Sequence, residues 1–587
     1  MALAIALLIG LGACAGNPGG GAATTATAAA TQAAETTAQS TTAAATTTTT
    51  ASTTTAPQYD RDMTWFREET LSLWSMDELE RYIPAYDPPI TLTSVHYMAA
   101  GGSSYPEGDS MDNNKFTRRY ERLMGIKVKY DWYTDWGSAY NTKLNMSIAA
   151  DDLPDFYIVQ QYKAYYDLAT AGKLMDLQPY FDEWASPTVR EITEAFPEGF
   201  ESAYIDGHLY SMPVLGWGII THPDILWLRD DWRKEADLEP PETIDDMLDM
   251  ARIFMDYHPG TYGISLHSEL GGGMSSFRGI ANGFHAYPGH WYKDDSGDIV
   301  YGSVQPAMRN CLQAMQGWYN EGILSQEFAV RDYNQDVVSA KVGLSFGAQW
   351  AGYYPLADAM RENPDAEWLP YPIPSADGKP VTPQCWWDVG QYFVVNSKCK
   401  NPDALIKMIN LFCWEGKENE EGKVVGLYKD EKDDFEIEWQ DDPVFYTDPA
   451  RDYLNFKIMN EAIGKRDPSV AEANPKYRWV YENSLKWLDD RNADFFGTCC
   501  QYMPGGSYDV IATNYIEPGR YLLTDMKGSP PDIWTEKAAV LDKMQNETFI
   551  KIIMGAPISE FDTFVEDWYS LGGAEALNAV NVMYNRK

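Results

Sequence analysis

The chain has 587 residues, of which 86 are Asp or Glu against 46 Lys or Arg, a formal net charge of −40. Such an imbalance argues against binding nucleic acid and against docking by charge on anionic lipid, because both partners repel an acidic surface. With 20 Trp, and with Phe, Trp and Tyr making up 13% of the residues, aromatic rings suffice for a core and for binding platforms besides.

Residues 1–13 read as a signal peptide: an apolar run, Ala2 to Leu11, is followed by small residues and then Cys14. The run is shorter than the roughly 20 residues needed to span a bilayer, and no Lys or Arg precedes it. Leu11-Gly12-Ala13-Cys14 resembles the lipobox of bacterial lipoproteins, in which the Cys is lipidated and the peptide is cut before it. Residues 14–57, rich in Ala and Thr, hold too little apolar bulk to offset the entropy of ordering and are expected to form a flexible tether. No later stretch is apolar enough for a transmembrane helix. The rest exceeds what one core usually holds, so two lobes are expected. The partition is 58–215 for lobe 1, 216–389 for lobe 2, 390–460 for a return to lobe 1, and 461–587 for lobe 2 with the C-terminal helices.

In chain order, Ile90-Thr91-Leu92-Thr93-Ser94-Val95 alternates as a first strand. A helix carrying Phe116, Tyr120 and Leu123 follows and stops at Gly125. Ile126, Val128 and Tyr130 alternate again, a helix spans about 140–150, and Phe156 to Val159 is a third strand. Thr243, with Asp245 and Asp246 in the next turn, caps a helix whose Ile244, Met247, Leu248 and Ala251 share one face. Val342 to Gly347 and Tyr392 to Asn396 are further strands, the latter followed by a helix from Asp403. Strands alternating with helices imply an α/β fold with parallel sheets covered on both faces. Apart from Cys14, the Cys residues are 311, 385, 399, 413, 499 and 500; their number permits disulfides, buried thiols fit equally, and none has zinc-ligand spacing.

The order of several segments resembles the family 1 extracellular solute-binding proteins of ABC importers, in their large Gram-positive lipoprotein branch. These segments are Leu153-Pro154-Asp155-Phe156, Leu226 to Trp232, Trp318-Tyr319-Asn320-Glu321-Gly322 with Glu327-Phe328, and a C-terminal set around Phe561 to Val565 and Gly572-Gly573. The resemblance implies a two-lobe Venus-flytrap with several hinge crossings, which closes on a ligand and then docks on permease subunits. An oligosaccharide ligand, a lipid-anchored extracellular location and a monomer are expected, with no cofactor. Some members carry an EF-hand-like calcium loop. Here neither residues 256–263 nor residues 293–298 have the ligand pattern, so no metal is expected.

Sugar sites combine flat aromatic faces with planar polar groups. Trp350, just after the strand ending at Gly347, leads the candidates, because the resemblance puts a stacking aromatic there. Gln160, Gln161 and Tyr162 follow the third strand at its carboxyl end, where open α/β sheets place ligands. Trp217 lies between two glycines at the first crossing, and Trp386, Trp387 and Asp388 precede a later one. Arg278, His222 and Tyr508 complete the set, while Trp65, Trp74, Trp479 and Trp487 read as core. A surface glycosidase, a peptide receptor and a non-transport sensor or adhesin remain alternatives. No G-x-S-x-G elbow, His-Glu-x-x-His helix or P-loop supports an enzyme.

Overall fold

Strand β2 (Ile126–Asp135) behaves as its alternation demands, with Ile126, Val128 and Tyr130 buried while Lys127 and Lys129 face water. It pairs in parallel with β1 (Ile90–Met98). The Thr93 amide of β1 donates to the Asp155 carboxylate at 2.8 Å, which ties that pair to β3 (Phe156–Val159). β3, β4 (Ser211–Leu215) and a later strand, β9 (Val389–Val395), make one sheet in the order β3-β9-β4. A second sheet follows the order β8-β5-β7-β6, from β5 (Ile225–Arg229), β6 (Tyr262–Ile264), β7 (Val342–Gly347) and β8 (Trp368–Tyr371). The computed structural model describes residues 76–585, apart from 99–104, 106–107, 136–137, 217, 387–388, 415–441, 447, 474 and 529. Cys14, the 14–57 tether, Trp65 and Trp74 lie outside the described residues.

The all-parallel expectation fails in both sheets. β9 runs antiparallel to β3 and to β4, and β5 runs antiparallel to β7 and β8. Parallel neighbours need a crossover through a helix, whereas a strand arriving directly from another lobe enters at the end where its neighbours leave. β5 and β9 are the two strands that arrive this way.

Helix ends follow local chemistry. Thr243 caps helix Ile244–Tyr257 in a reciprocal box with Asp246, and Ile244, Met247, Leu248 and Ala251 are buried along it. Gly125, at φ 65°, ends helix Lys115–Met124. One core draws on residues 83–215 and 389–446. Adjoining clusters from 220–381 and 456–580 form the other lobe, with Leu226 and Leu228 facing one layer and Ile225 and Trp227 the opposite one. The C-terminal helices Asp532–Ile553, Ser559–Trp568 and Ala574–Tyr584 belong to this second body, where Tyr301 stacks on Trp568 at 5.1 Å. Two crossings touch: Gly218 has φ +87°, and a side chain there would begin 1.9 Å from the Pro449 carbonyl oxygen. The six described Cys are buried free thiols. Trp487 is in the core, and Trp479 is half-buried.

Candidate ligand cleft

Strand register fixes which sheet ends meet. In the first lobe β4 leaves and β9 arrives at one end, and pairing of Val159 with Tyr392 brings the carboxyl end of β3 there too. In the second lobe Ile225, at the start of β5, pairs with Gly347, at the end of β7. Both sheets therefore present these ends to the crossings, and Gln160 and Trp350 sit just beyond them.

On the second lobe, three groups converge. Trp350 occupies a 3₁₀ turn, Gln349–Gly352. Buried Gln349 anchors that turn, its carbonyl accepting from the Ser507 hydroxyl at 2.9 Å and its side chain pairing with the Gln501 amide. The Trp350 ring is only partly buried, and its six-membered edge lies 3.6 Å from where a side chain at Gly273 would start. Gly273 has φ +90°, a conformation that glycine alone adopts freely, so no side chain from position 273 covers this edge. Arg278 lies in the first turn of the buried helix Phe277–Gly283. Its Nε and Nη2 donate to the two oxygens of Asp224 at 2.7 and 2.8 Å, and the Ser276 hydroxyl donates to the same carboxylate at 2.7 Å. Asp224 is wholly buried. A buried ion pair holds only when both partners are satisfied in this way.

Trp386 is the third group. The Arg278 guanidinium carbon lies 4.3 Å from its ring centroid, within cation–π range. Two imidazoles approach edge-on, His222 at 6.3 Å and His290 at 6.1 Å. His290 donates from Nε2 to the Leu522 carbonyl at 3.0 Å, and burial, helped by the Arg278 charge, pushes its pKa down to about 4, so the ring is neutral.

The structure thus brings Trp386, Arg278 and His222 together, with Trp350 on the same lobe beside the Gly271–Gly273 loop. Gln160 is partly buried, its amide nitrogen without a hydrogen-bond partner among the described residues, and Gln161 is exposed. Tyr162 packs edge-on against Tyr165 and Tyr392 and lies 3.8 Å from the space above Gly528 of the second lobe, so it stands between the lobes. Tyr508 is 3% exposed among Phe456 and Tyr502, with its hydroxyl 3.3 Å from Asp452, and is therefore core rather than cleft. Trp217, Trp387 and Asp388 lie outside the described residues.

Sequence reasoning missed Asp224, Gly272, Gly273 and His290. An acid just before the apolar run Ile225-Leu226-Trp227-Leu228 was the available sign for Asp224, since a buried carboxylate demands a cation. It also passed over Gly343-Leu344-Ser345-Phe346-Gly347, which fits the G-x-S-x-G pattern of serine hydrolases. That pattern needs a strand-to-helix elbow, but Ser345 lies inside β7, fully buried, with its hydroxyl 2.7 Å from that of Ser265. Among the described residues no His, Cys, Asp and Glu cluster could hold a metal, and no helix is long and apolar enough to cross a membrane.

The family profile described as bacterial extracellular solute-binding protein matches residues 103–412. This chain belongs to that family. Among its relatives, lipoprotein LipO of Bacillus subtilis (strain 168) is 22% identical over 498 residues, 82% of this chain and 90% of LipO. In fold, the solute-binding protein resembles FusA of S. pneumoniae in complex with kestose, at TM-score 0.55, 16% identity, and 84% and 99% coverage of the two chains. Alginate-binding protein AlgQ2 gives TM-score 0.55 and 16% identity over 85% of this chain and 98% of its own. The solute-binding protein shares with them the two-lobe fold.

Proposed function

We propose that this solute-binding protein is held on the outer face of the cell membrane through lipid on Cys14 and captures an oligosaccharide for delivery to an ABC importer. The observation that carries the reading is the partly buried Trp350, its ring edge beside Gly273, on the same sheet end as the Arg278–Trp386 stack. Aromatic faces match the C–H faces of pyranose rings, and fixed planar donors match hydroxyls. Gln160 and Gln161 offer amides from the opposite lobe, so a ligand touching both would favour the closed state. The ligands in the names of FusA and AlgQ2, kestose and alginate, agree with a carbohydrate. Trp217, Trp387 and Asp388 belong to the same proposed site.

The purified chain should gain thermal stability with at least one oligosaccharide, following mass action and releasing no product. Trp350→Ala should abolish that shift; unchanged affinity would move the site elsewhere, and sugar turnover would end the transport reading. Cys14→Ser should release the protein from membranes, and persistent anchoring would defeat the lipid assignment.

A further inference from the structure

FusA and AlgQ2 are named for ligands of opposite character, since kestose is uncharged and alginate is a polymer of uronates. The cleft floor bears on which kind this chain takes. Arg278 is 9% exposed, and two of its three nitrogens are engaged by Asp224. A side chain at exposed Gly272 would begin 3.6–3.7 Å from Nη1, Cζ and Nη2, over the plane of the guanidinium. Glycine leaves that space open, so the guanidinium is reached from the cleft only through an opening above a cation already matched to its own carboxylate.

We propose that the Asp224–Arg278 pair makes this cleft select uncharged oligosaccharides over uronate-bearing ones. The inference rests on the oligosaccharide reading and adds the ligand's charge. A hydroxyl at Nη1 accepts one hydrogen bond and stays neutral. A ligand carboxylate there meets a guanidinium whose charge Asp224 balances, and repulsion from Asp224 offsets roughly half of the attraction. It also gives up hydration that this neutral pair does not replace. Two imidazoles near the guanidinium are disfavoured as cations: His290 is held neutral by burial, and burial likewise lowers the pKa of His267, whose ring lies 3.2 Å from the space above Gly271. Glu269, exposed on the same loop, adds a negative charge. Across the cleft Gln160 and Gln161 are neutral, and Lys163 is bound to Asp167 at 3.1 Å and to Asp532 at 3.4 Å.

The test titrates the full-length protein with two sets of fragments, uncharged (kestose, maltotriose, xylotriose, lacto-N-tetraose) and uronate (trigalacturonate, trimannuronate). At least one uncharged fragment should bind about tenfold more tightly than either uronate, with an affinity insensitive to salt. A uronate binding as tightly overturns the inference and leaves the oligosaccharide reading standing; no binding in either set overturns both. Asp224→Asn should narrow the gap between the sets by about tenfold. Because that change disturbs a buried pair, Glu269→Gln on the surface is measured beside it and should narrow the gap by a smaller factor. Folded variants that leave the gap unchanged overturn the inference.

Discussion

Three buried cations among the described residues lie on tryptophan faces, and two of them, Lys407 in the first lobe and Arg278 in the second, show the same physics put to different use. In the first lobe the Lys407 ammonium sits 3.7 Å from the Trp184 ring centroid and 4.8 Å from that of Tyr86. Its carboxylate, Asp403, lies one helical turn earlier and also accepts from the Tyr86 hydroxyl at 2.7 Å. Every neighbour belongs to one core, and the Lys407 side chain is 5% exposed. In the second lobe Arg278 has the same ingredients, but Asp224 comes from 54 residues away and glycine leaves the guanidinium plane open. Enclosure makes the first stack a scaffold, and the gap above the second leaves it available to a ligand.

Breaking the enclosed stack should give the largest effect. Lys407→Ala removes a buried ammonium and its packed stem from the faces of Trp184 and Tyr86 and takes the cation from the partly buried Asp403 carboxylate; it should lower the unfolding free energy by about 3–5 kcal/mol in urea titration, without changing ligand affinity in the folded fraction. A loss of affinity instead would mean that the two stacks are not separate in role. The next effect is the pH dependence of the open stack. His290 has a folded pKa pushed down to about 4 from an ordinary 6.5, so the unfolded chain takes up the proton first as pH falls. The stability contributed by its neutral ring is complete above about pH 6.5 and is lost on approaching pH 4, by about 3 kcal/mol at most. His290→Gln should flatten that part of the stability–pH curve; an identical slope in the variant would assign it to other groups. Smallest in energy is Arg278→Lys, which keeps the charge but loses the fork and the planar stack. Affinity for the captured sugar should fall about tenfold by calorimetry, and full retention would reduce Arg278 to a simple charge.

Much of the frame was legible because it is local. Thr243 and Asp246, three residues apart, state a helix start, and Gly125 states a stop, since each acts through backbone groups within one turn. Strand direction was not legible, because alternation along β5 or β9 is the same whichever way the neighbour runs. Trp350 could be ranked because it follows a strand end at which the family resemblance puts a stacking aromatic. The stack of Arg278 on Trp386 joins residues 108 positions apart, and no periodicity carries such a pairing. Tyr508 was misjudged for a related reason: an aromatic in a polar stretch signals a cleft and a core equally, and Phe456 and Tyr502 decide between them only in three dimensions.

The contact of Gly218 with Pro449 gives the molecule a mechanical property as well. Two of the segments that join the lobes are pressed together there, backbone on backbone, with no side chain between them to yield. A relative rotation of the lobes moves atoms least near its axis, and a point where two connecting segments touch tolerates little sliding. Such a point serves as a fulcrum, and the sheet ends bearing Gln160 and Trp350 stand out from it as the jaws of a lever.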